Sequence, residues 1–446
     1  MSTSLLQEKV LLRKKLLLYG LAALLLAFTL GGVWLSYQTF HKGHASVLGA
    51  KRRGSAILGV RPFPDTWNNI HAFLTFNYNI TNSATVASHY DFVWAADPAS
   101  VVPLHTANPN IFLTYYIPFH RDFGTYATTG TPLSLSSWKT AHADWILYKC
   151  DRVTPAYEHN MANVPLDFSN PAVIAWQMAT YALPASAHGY DGIAADNLDM
   201  QNSSGACGTY QNGKWVQRYS GQANDSQWSA DAVNWLTQMQ SALHALPHPL
   251  ALIPNLKGVS VGNPLLSQVL SHSDGVLDEG GFTAGGTGYL TDSQWTQGVA
   301  LMAMVQQLNK PFYSINLFSN VTPATIQWAL ASYLMAKGHA AALYIAAANG
   351  YGSDAWHGEY AARIGSPLGA MYTLQNVYCR DYSSGASIVN PSSTTSYTVT
   401  LNPANHYIDL YGHAMGATMT LAPHTGIVLL YTSTGNAHPL VGHPLH

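Results

Sequence analysis

The stretch DGIAAD, residues 191–196, decides the fold class, because its interior is continuously apolar and does not alternate with polar residues. A short run of this kind indicates a strand that is buried on both faces, as in a parallel sheet. Eight such runs follow one another along the chain: AFLTFN (72–77), DFVWAA (91–96), IFLTYYI (111–117), DGIAAD (191–196), LALIPN (250–255), GVLDE (275–279), FYSIN (312–316) and ALYIAA (342–347).

Helical signals lie between these strands. Asn170 followed by Pro171 is typical of a helix start, with Asn as the cap and Pro in the first turn. Residues 227–246 carry apolar side chains mostly at a spacing of three or four, and further starts are expected at Asp292 and at Thr322-Pro323. Eight strands alternating with crossover segments over about 300 residues predict an α/β fold, a (β/α)8 TIM barrel over residues 61–365.

The sequence changes character after the barrel. Short runs that alternate with period two and are separated by Asn-Pro, Gly and Ser/Thr turns predict a small, sandwich-like all-β domain over residues 366–432. Residues 433–446 are expected to form a flexible tail. Its His438, His443 and His446 are interpreted as tail residues rather than a zinc site. Polar insertions at 124–137 and 200–226 are expected in βα loops, at the catalytic face of the barrel.

The N-terminus predicts the compartment. Residues 16–37 carry no charge and are long enough to span a bilayer, and Lys9, Arg13, Lys14 and Lys15 precede them. We predict a cytoplasmic segment (1–15), a transmembrane signal-anchor helix (16–37) and a linker (38–60), with the membrane as a partner and the barrel outside the cytoplasm. A cleaved signal peptide is the alternative, which would make the protein secreted.

Composition excludes several classes of protein. Only 9% of the residues are charged, against about 25% in an average soluble domain, but a single segment is long enough to span a membrane, which excludes a multi-pass transporter. The net charge is −2, with no basic block beyond the N-terminus, so no nucleic-acid partner is expected.

Cys150, Cys207 and Cys379 leave open one disulfide plus a thiol or three thiols. No metal-binding spacing occurs, and we predict neither a metal nor a cofactor.

Two carboxylates stand out because they end apolar strands. Asp196 ends the fourth predicted strand and Glu279 the sixth. The carboxyl ends of barrel strands face the active site, so the two are expected to lie across one pocket, as a pair that flanks a glycosidic bond does. We predict Asp196 as nucleophile and Glu279 as general acid/base. Asp278 would point to the opposite side of its strand and is structural, or takes the role of Glu279 if the register differs by one residue.

Other polar residues end or follow the predicted strands or lie in nearby loops. Asn, Tyr, His and Lys side chains there would form a hydrogen-bonding lining suited to sugar hydroxyls. The predicted substrate-binding residues are Asn77, Tyr78, Asp97, Tyr116, His120, Lys149, Asp199, Asn255, Asp278 and Asn316.

Four segments together resemble a known family. They are ILYKCD (146–151), VPLDFSNPAVIAWQ (164–177), YDGIAADNLD (190–199) and LDEGGF (277–282). The chain resembles, over about residues 65–432, the hypothetical glycosyl hydrolase family numbered fifteen, which is similar in turn to endo-α-1,4-polygalactosaminidase-like barrels and the α-galactosidase clan. The resemblance implies a barrel glycosidase with an Asp nucleophile on strand four, here Asp196. It also implies an acid/base on strand six, here Glu279. The clan often has Asp on strand six, so the resemblance leaves Asp278 open for that role.

The predicted function is a glycoside hydrolase that cleaves O-glycosidic bonds of an extracellular or cell-surface polysaccharide. One alternative is a non-catalytic carbohydrate-binding barrel, which would be favoured if Asp196 and Glu279 faced separate compartments. A lesser alternative is a serine hydrolase, because residues 258–262 match G-x-S-x-G with Ser260 at the centre. Leu256 and Lys257 separate that motif from its predicted strand, and no His-Gly-Gly motif precedes it.

Overall fold

The computed structural model describes residues 59–76, 80–158, 162–285, 288–432 and 440. The predicted N-terminal segment, the signal-anchor at 16–37, residues 38–58 of the linker and all of the tail except Leu440 lie outside these residues. Within the described part of the chain, no helix is long and apolar enough to cross a membrane.

The structure contains eighteen strands in these ranges, numbered in chain order. They are β1 (Phe73–Thr75), β2 (Phe92–Trp94), β3 (Phe112–Pro118), β4 (Tyr148–Lys149), β5 (Gly192–Asp199), β6 (Ala206–Gln211), β7 (Lys214–Gln217), β8 (Ala251–Lys257), β9 (Val276–Asp278), β10 (Phe312–Phe318), β11 (Ala341–Ala347), β12 (Tyr372–Leu374), β13 (Val377–Tyr382), β14 (Gly385–Asn390), β15 (Tyr397–Thr400), β16 (Tyr407–Asp409), β17 (Thr418–Leu421) and β18 (Thr425–Tyr431).

The eight predicted barrel strands are confirmed. They form one parallel sheet in the order β1-β2-β3-β5-β8-β9-β10-β11, and a parallel bridge between Ala72 and Leu343 brings its two edges together. Aromatic rings fill the space inside, since Tyr313 of β10 packs on Phe92 of β2 with ring centroids 3.8 Å apart although these strands are not neighbours. The result is a nearly closed barrel with a packed interior, in which the ends of β5, β8 and β9 lie side by side.

Nine α-helices are described, numbered in chain order: α1 (Ser83–His89), α2 (Val101–Ala107), α3 (Leu135–His142), α4 (Pro171–Gln177), α5 (Leu183–His188), α6 (Ser226–His244), α7 (Pro264–Ser271), α8 (Asp292–Gln307) and α9 (Pro323–Leu334). The predicted starts are confirmed. The Asn170 side chain accepts a hydrogen bond from Ala172 N at 3.0 Å, and Thr322 caps α9. Capping side chains satisfy backbone N–H groups that have no partner inside the helix.

The residues after the barrel form antiparallel sheets, as predicted. One sheet has the order β12-β13-β14-β18-β16, and β15 pairs with β17. This region does not separate from the barrel as a compact unit of its own. It packs on α9, because Ser387 Oγ donates to Ala331 O at 2.9 Å and Gln327 Oε1 accepts from Val428 N at 2.8 Å.

The insertion that follows β5 builds a small sheet of its own. Strands β6 and β7 form a hairpin, and β4 pairs with β6. Cys150 and Cys207 form a disulfide that ties this sheet together, and Cys379 is a buried thiol. The disulfide alternative that the sequence left open is therefore the one observed.

Candidate active site

The end of β5 is irregular where Asp196 lies. The pairing of β5 with β8 shifts between Ala195 and Leu198, and Asn197 has φ +55°, in the left-handed region. A bulge of this kind turns side chains away from the regular alternation, and Asn tolerates that conformation better than most residues. The local backbone therefore lets neighbouring residues Asp196 and Asn197 join the same hydrogen-bond network.

Asp196 is held by donors from three strands. Its Oδ2 accepts hydrogen bonds from the Tyr116 hydroxyl at 2.7 Å and from Asn197 Nδ2 at 2.8 Å, and its Oδ1 accepts one from Asn255 Nδ2 at 2.9 Å. The Arg121 guanidinium lies 3.6 Å from Oδ2. These contacts fix the orientation of the carboxylate.

Asn255 connects the two predicted catalytic carboxylates. Its Nδ2 atom donates to Asp196 Oδ1 and to Glu279 Oε2, each at 2.9 Å, and its side chain is fully buried. The two hydrogens of an amide nitrogen diverge by about 120°, which places the accepting oxygens roughly 5 Å apart. The two side chains therefore face one compartment.

Glu279 is also contacted by Lys257 of β8 and by Tyr351. Lys257 Nζ lies 3.2 Å from Oε2, and the hydroxyl of Tyr351, which follows β11, donates to Oε1 at 2.9 Å. Desolvation raises the pKa of Glu279, but the charge of Lys257 and the hydrogen bonds from Asn255 and Tyr351 outweigh it, and the net pKa is lowered. Lys257 Nζ also donates to Asn197 Oδ1 at 2.6 Å, which closes the network around the pair.

Asp278 faces a different environment from Glu279. Its Oδ1 accepts hydrogen bonds from the backbone N–H groups of Gly280 at 3.0 Å and Gly281 at 3.2 Å. Desolvation raises the pKa of Asp278 to about 6, against those two bonds. Asp278 therefore holds the turn after β9, in keeping with the predicted opposite orientation of the two neighbouring acids.

A third carboxylate lies behind Asp196. Arg121 contacts Glu158 Oε2 through Nε at 3.2 Å while its Nη2 approaches Asp196, and all three side chains are buried. Desolvation raises the pKa of Glu158 to about 7, opposed by Arg121 and reinforced by the negative charge of Asp196. The arrangement is a carboxylate-guanidinium-carboxylate chain in which one cation serves two acids.

Four of the other predicted substrate-binding residues lie at or close to strand ends. Tyr116, Asp199 and Asn255 lie at the ends of β3, β5 and β8, and Asp199 pairs in register with Lys257. His120 is buried among Phe119, Phe168 and Trp228.

Three further predicted residues, which the structure does describe, have their recorded contacts away from the pair. Asn316 is fully buried and holds the turn after β9, because its Oδ1 accepts from Phe282 N at 2.9 Å. Asp97 lies beside Tyr126, which packs on Tyr115 rather than on Tyr116. Lys149 is exposed on β4 of the insertion sheet. Asn77 and Tyr78 fall outside the described residues.

The two other kinds of site considered from the sequence find no support in the geometry. Ser260 is exposed in the loop after β8, and within the described ranges its hydroxyl makes no hydrogen bond to a histidine. No group of three or more His, Cys, Asp or Glu side chains among the described residues is placed to hold a metal ion.

Several residues of the network were not predicted as site residues. Tyr351 and Glu158 lie outside the strands, and Asn197 lies in the irregular end of β5, one residue beyond the predicted strand. For Asn197 the adjacent Asp196 was a usable signal. Tyr351 and Glu158 reach the site from loops, whose course the sequence pattern does not reveal.

A barrel with paired carboxylates at its strand ends is the architecture of a glycosidase. The chain belongs to hypothetical glycosyl hydrolase family 15, whose sequence profile matches residues 105–386. The predicted family is thus confirmed, and with it the class of enzyme. No curated protein matches the chain in sequence.

Three solved structures are among those to which the chain is similar. The glycoside hydrolase domain of PelA from Pseudomonas aeruginosa is 15% identical, with a TM-score of 0.41 over 63% of this chain and 96% of that one. The maltogenic α-amylase AmyB from Thermotoga neapolitana is 11% identical, with a TM-score of 0.41 over 75% and 81%. A GH31 dextranase from Flavobacterium johnsoniae is 11% identical, with a TM-score of 0.42 over 84% and 52%. At these sequence identities and TM-scores, the activities of the three proteins are not inferred for this chain.

Proposed function

We propose that the protein hydrolyses O-glycosidic bonds of an extracellular or cell-surface polysaccharide, with Asp196 as nucleophile and Glu279 as general acid/base. The observation that carries the proposal is the shared donor Asn255, which holds the two carboxylates in one compartment. Retaining glycosidases have carboxyl groups about 5–5.5 Å apart and inverting ones about 6.5–9.5 Å. The spacing across Asn255 favours a retaining reaction.

Each role follows from what surrounds the group. Asp196 would attack the anomeric carbon, with the Tyr116 hydroxyl, Asn255 and Arg121 fixing its orientation. Glu279 would give its proton to the leaving oxygen and later take one from water. Lys257 lies 3.2 Å from Glu279 and lowers its pKa, which opposes the protonated form that the acid step requires.

The charge of the cleft limits the substrate class. Glu158 lies within interaction distance of Asp196 and Asp199, and Glu279 contacts Lys257, so the cleft has four carboxyl groups against the two cations Arg121 and Lys257. An excess of carboxylates disfavours a polymer of uronic acids by like-charge repulsion. Neutral or amino-sugar polysaccharides are therefore the substrates to test first.

The test is a reducing-end assay on a panel of such polysaccharides, followed by variants. Asp196→Asn and Glu279→Gln should each lower kcat by at least about a thousandfold with unchanged unfolding midpoints. Glu359→Gln is the control, because the Glu359 carboxylate accepts a hydrogen bond from Tyr411 rather than from a residue of the site. This variant should keep full activity. Asp278→Asn tests the other acid on β9: if it abolishes turnover while Glu279→Gln does not, the acid/base role belongs to Asp278.

The alternative function is a carbohydrate-binding barrel without turnover. It predicts that the Asp196→Asn and Glu279→Gln variants bind the same glycans as the parent and that the parent releases no reducing ends.

Membrane anchoring through residues 16–37 is part of the proposal, and alkaline extraction of membranes from expressing cells tests it, since a spanning helix remains in the pellet.

A further inference from the structure

A pocket of about 880 Å³ lies on the insertion sheet, away from the carboxylate pair. We call it the insertion pocket. The pocket is lined by residues from α3, β4, the β6–β7 hairpin and the segments next to them. They include Lys139, Asp144, Tyr148, Arg152, Tyr210 and Asn212. Its volume is in the range of ligand sites, and no catalytic role is assigned to any of these side chains.

The exposed positive charge of the described chain is concentrated around this pocket. Five Lys or Arg residues are exposed in the described part of the chain. Four of them belong to the region of the pocket: Lys139, Lys149, Arg152 and Lys214. The fifth is Arg363. Two exposed acids belong to the same region: Asp144 lines the pocket, and Asp151 accepts hydrogen bonds from Thr154 and Val153 within its own turn, so four cations face two acids. In a surface with few charges, such a cluster attracts anions.

The pocket also has an aromatic component. The Arg152 guanidinium lies 5.7 Å from the centre of the Trp215 ring, and Tyr148 and Tyr210 pack edge to face with centroids 5.6 Å apart. Arg152 has φ +63°, a conformation in which Gly or Asn costs less, yet the position carries the side chain that reaches the pocket. A guanidinium fork pairs with a carboxylate in two parallel hydrogen bonds, and aromatic rings pack against sugar rings.

We propose that the insertion pocket is an accessory binding site for an acidic polysaccharide, which Lys139 and Arg152 recognise through its carboxylates while the half-buried Tyr210, which packs on the buried Tyr148, contacts its sugar rings. The cleft carries the opposite charge, so the glycan held here is a different one from the chain cut in the barrel. The site would keep the enzyme on an acidic matrix while the barrel acts on another polymer. The inference rests on the proposed function only in taking a glycan as the ligand.

The experiment measures binding rather than turnover. The full chain carrying Glu279→Gln is run in affinity electrophoresis through gels that contain polygalacturonate or neutral dextran. Polygalacturonate should retard it and dextran should not, and the retardation should weaken as salt is raised. Adding Lys139→Ala and Arg152→Ala together should weaken polygalacturonate binding by at least about tenfold, whereas adding the matched exposed substitution Arg363→Ala should leave it unchanged.

Three results would overturn the proposal. They are no retardation by polygalacturonate, equal retardation of the double variant, and displacement by single-stranded DNA or anionic phospholipid vesicles at the same charge concentration as polygalacturonate. The last would show a surface that recognises charge alone. Equal unfolding midpoints of the variants exclude misfolding as the cause of any loss. Because binding is read without hydrolysis, failure of the proposed hydrolase activity would leave this result intact.

Discussion

Asn255 donates hydrogen bonds to both carboxylates of the candidate site. Strand-end position identified it, with Asp196 and Glu279, as residues of one pocket, because the ends of neighbouring parallel strands meet at the same rim. The bonds between them depend on the bulge at Asn197, which no spacing in the sequence announces. The same limit explains Glu158 and Tyr351, which long connections bring to the site.

The role of Glu279 can be read from the effect of its neighbour Lys257. Lys257→Met removes the cation and should raise the pKa of Glu279, since an adjacent charge of opposite sign is what lowers it. If Glu279 is the acid, the alkaline limb of the kcat/KM profile moves to higher pH. If it is the nucleophile, the acidic limb moves instead. Arg363→Met should move neither limb, and a Lys257→Met profile identical to the parent's would contradict the coupling.

Glu158 makes stability depend on pH in a direction that can be stated. Its folded pKa, about 7, lies above the ordinary value of about 4.5 for a glutamate side chain. Between these values the folded state binds the extra proton, so the free energy of unfolding falls as pH rises from about 4.5 to 7, by roughly 3 kcal/mol at most. Urea midpoints measured across that range should fall in the parent and fall less in Glu158→Gln. The Glu359→Gln control should follow the parent, and equal slopes in all three would refute the assignment.

The turn after β9 is the element that separates the two neighbouring acids. Gly281 has φ +51°, and a Cβ there would lie 2.4 Å from Ile315 O and 2.7 Å from Asn316 Oδ1. Gly281→Ala should therefore lower the free energy of unfolding by about 3 kcal/mol or more through steric overlap and backbone strain.

Gly285 supplies the matched control for this turn. It has φ +59°, and nothing lies within 4 Å of a Cβ placed there. Gly285→Ala thus carries the conformational cost alone, about 1 kcal/mol. Denaturant titration of both variants separates the two contributions, and equal losses would show that the turn has room to relax.

At the scale of elements, the sequence predicted most of the barrel and less of its surroundings. Continuous apolar runs marked all eight strands because burial on both faces removes polar residues from them. Strands β6 and β7 were predicted only as part of a polar insertion and β4 was not predicted, since all three are short and lack a long apolar run. The Cys150–Cys207 pairing depends on that sheet and was equally hidden.

At the scale of the whole molecule, the barrel and the C-terminal sheets share a helix. All residues of α9 from Thr325 to Leu334 are buried, and Arg380 Nη1 of β13 donates to Leu334 O at 2.9 Å and to Lys337 O at 2.8 Å. The sequence placed a domain boundary near residue 366, where the pattern changes, but a change of pattern does not reveal whether the two parts bury a common surface. The contacts show that they do.

A shared buried helix predicts one cooperative unfolding transition for residues 59–432. Calorimetry should give a single peak with equal calorimetric and van't Hoff enthalpies. Gly426→Ala, whose Cβ would lie 2.8 Å from Ala331 Cβ, should lower the midpoint of that whole peak, because overpacking at the junction costs about 1–3 kcal/mol. Gly416→Ala, with no atom closer than 3.6 Å, should leave it in place. Two separated peaks, of which only one responds to Gly426→Ala, would mean that the sheets are an independent domain and that α9 belongs energetically to the barrel alone.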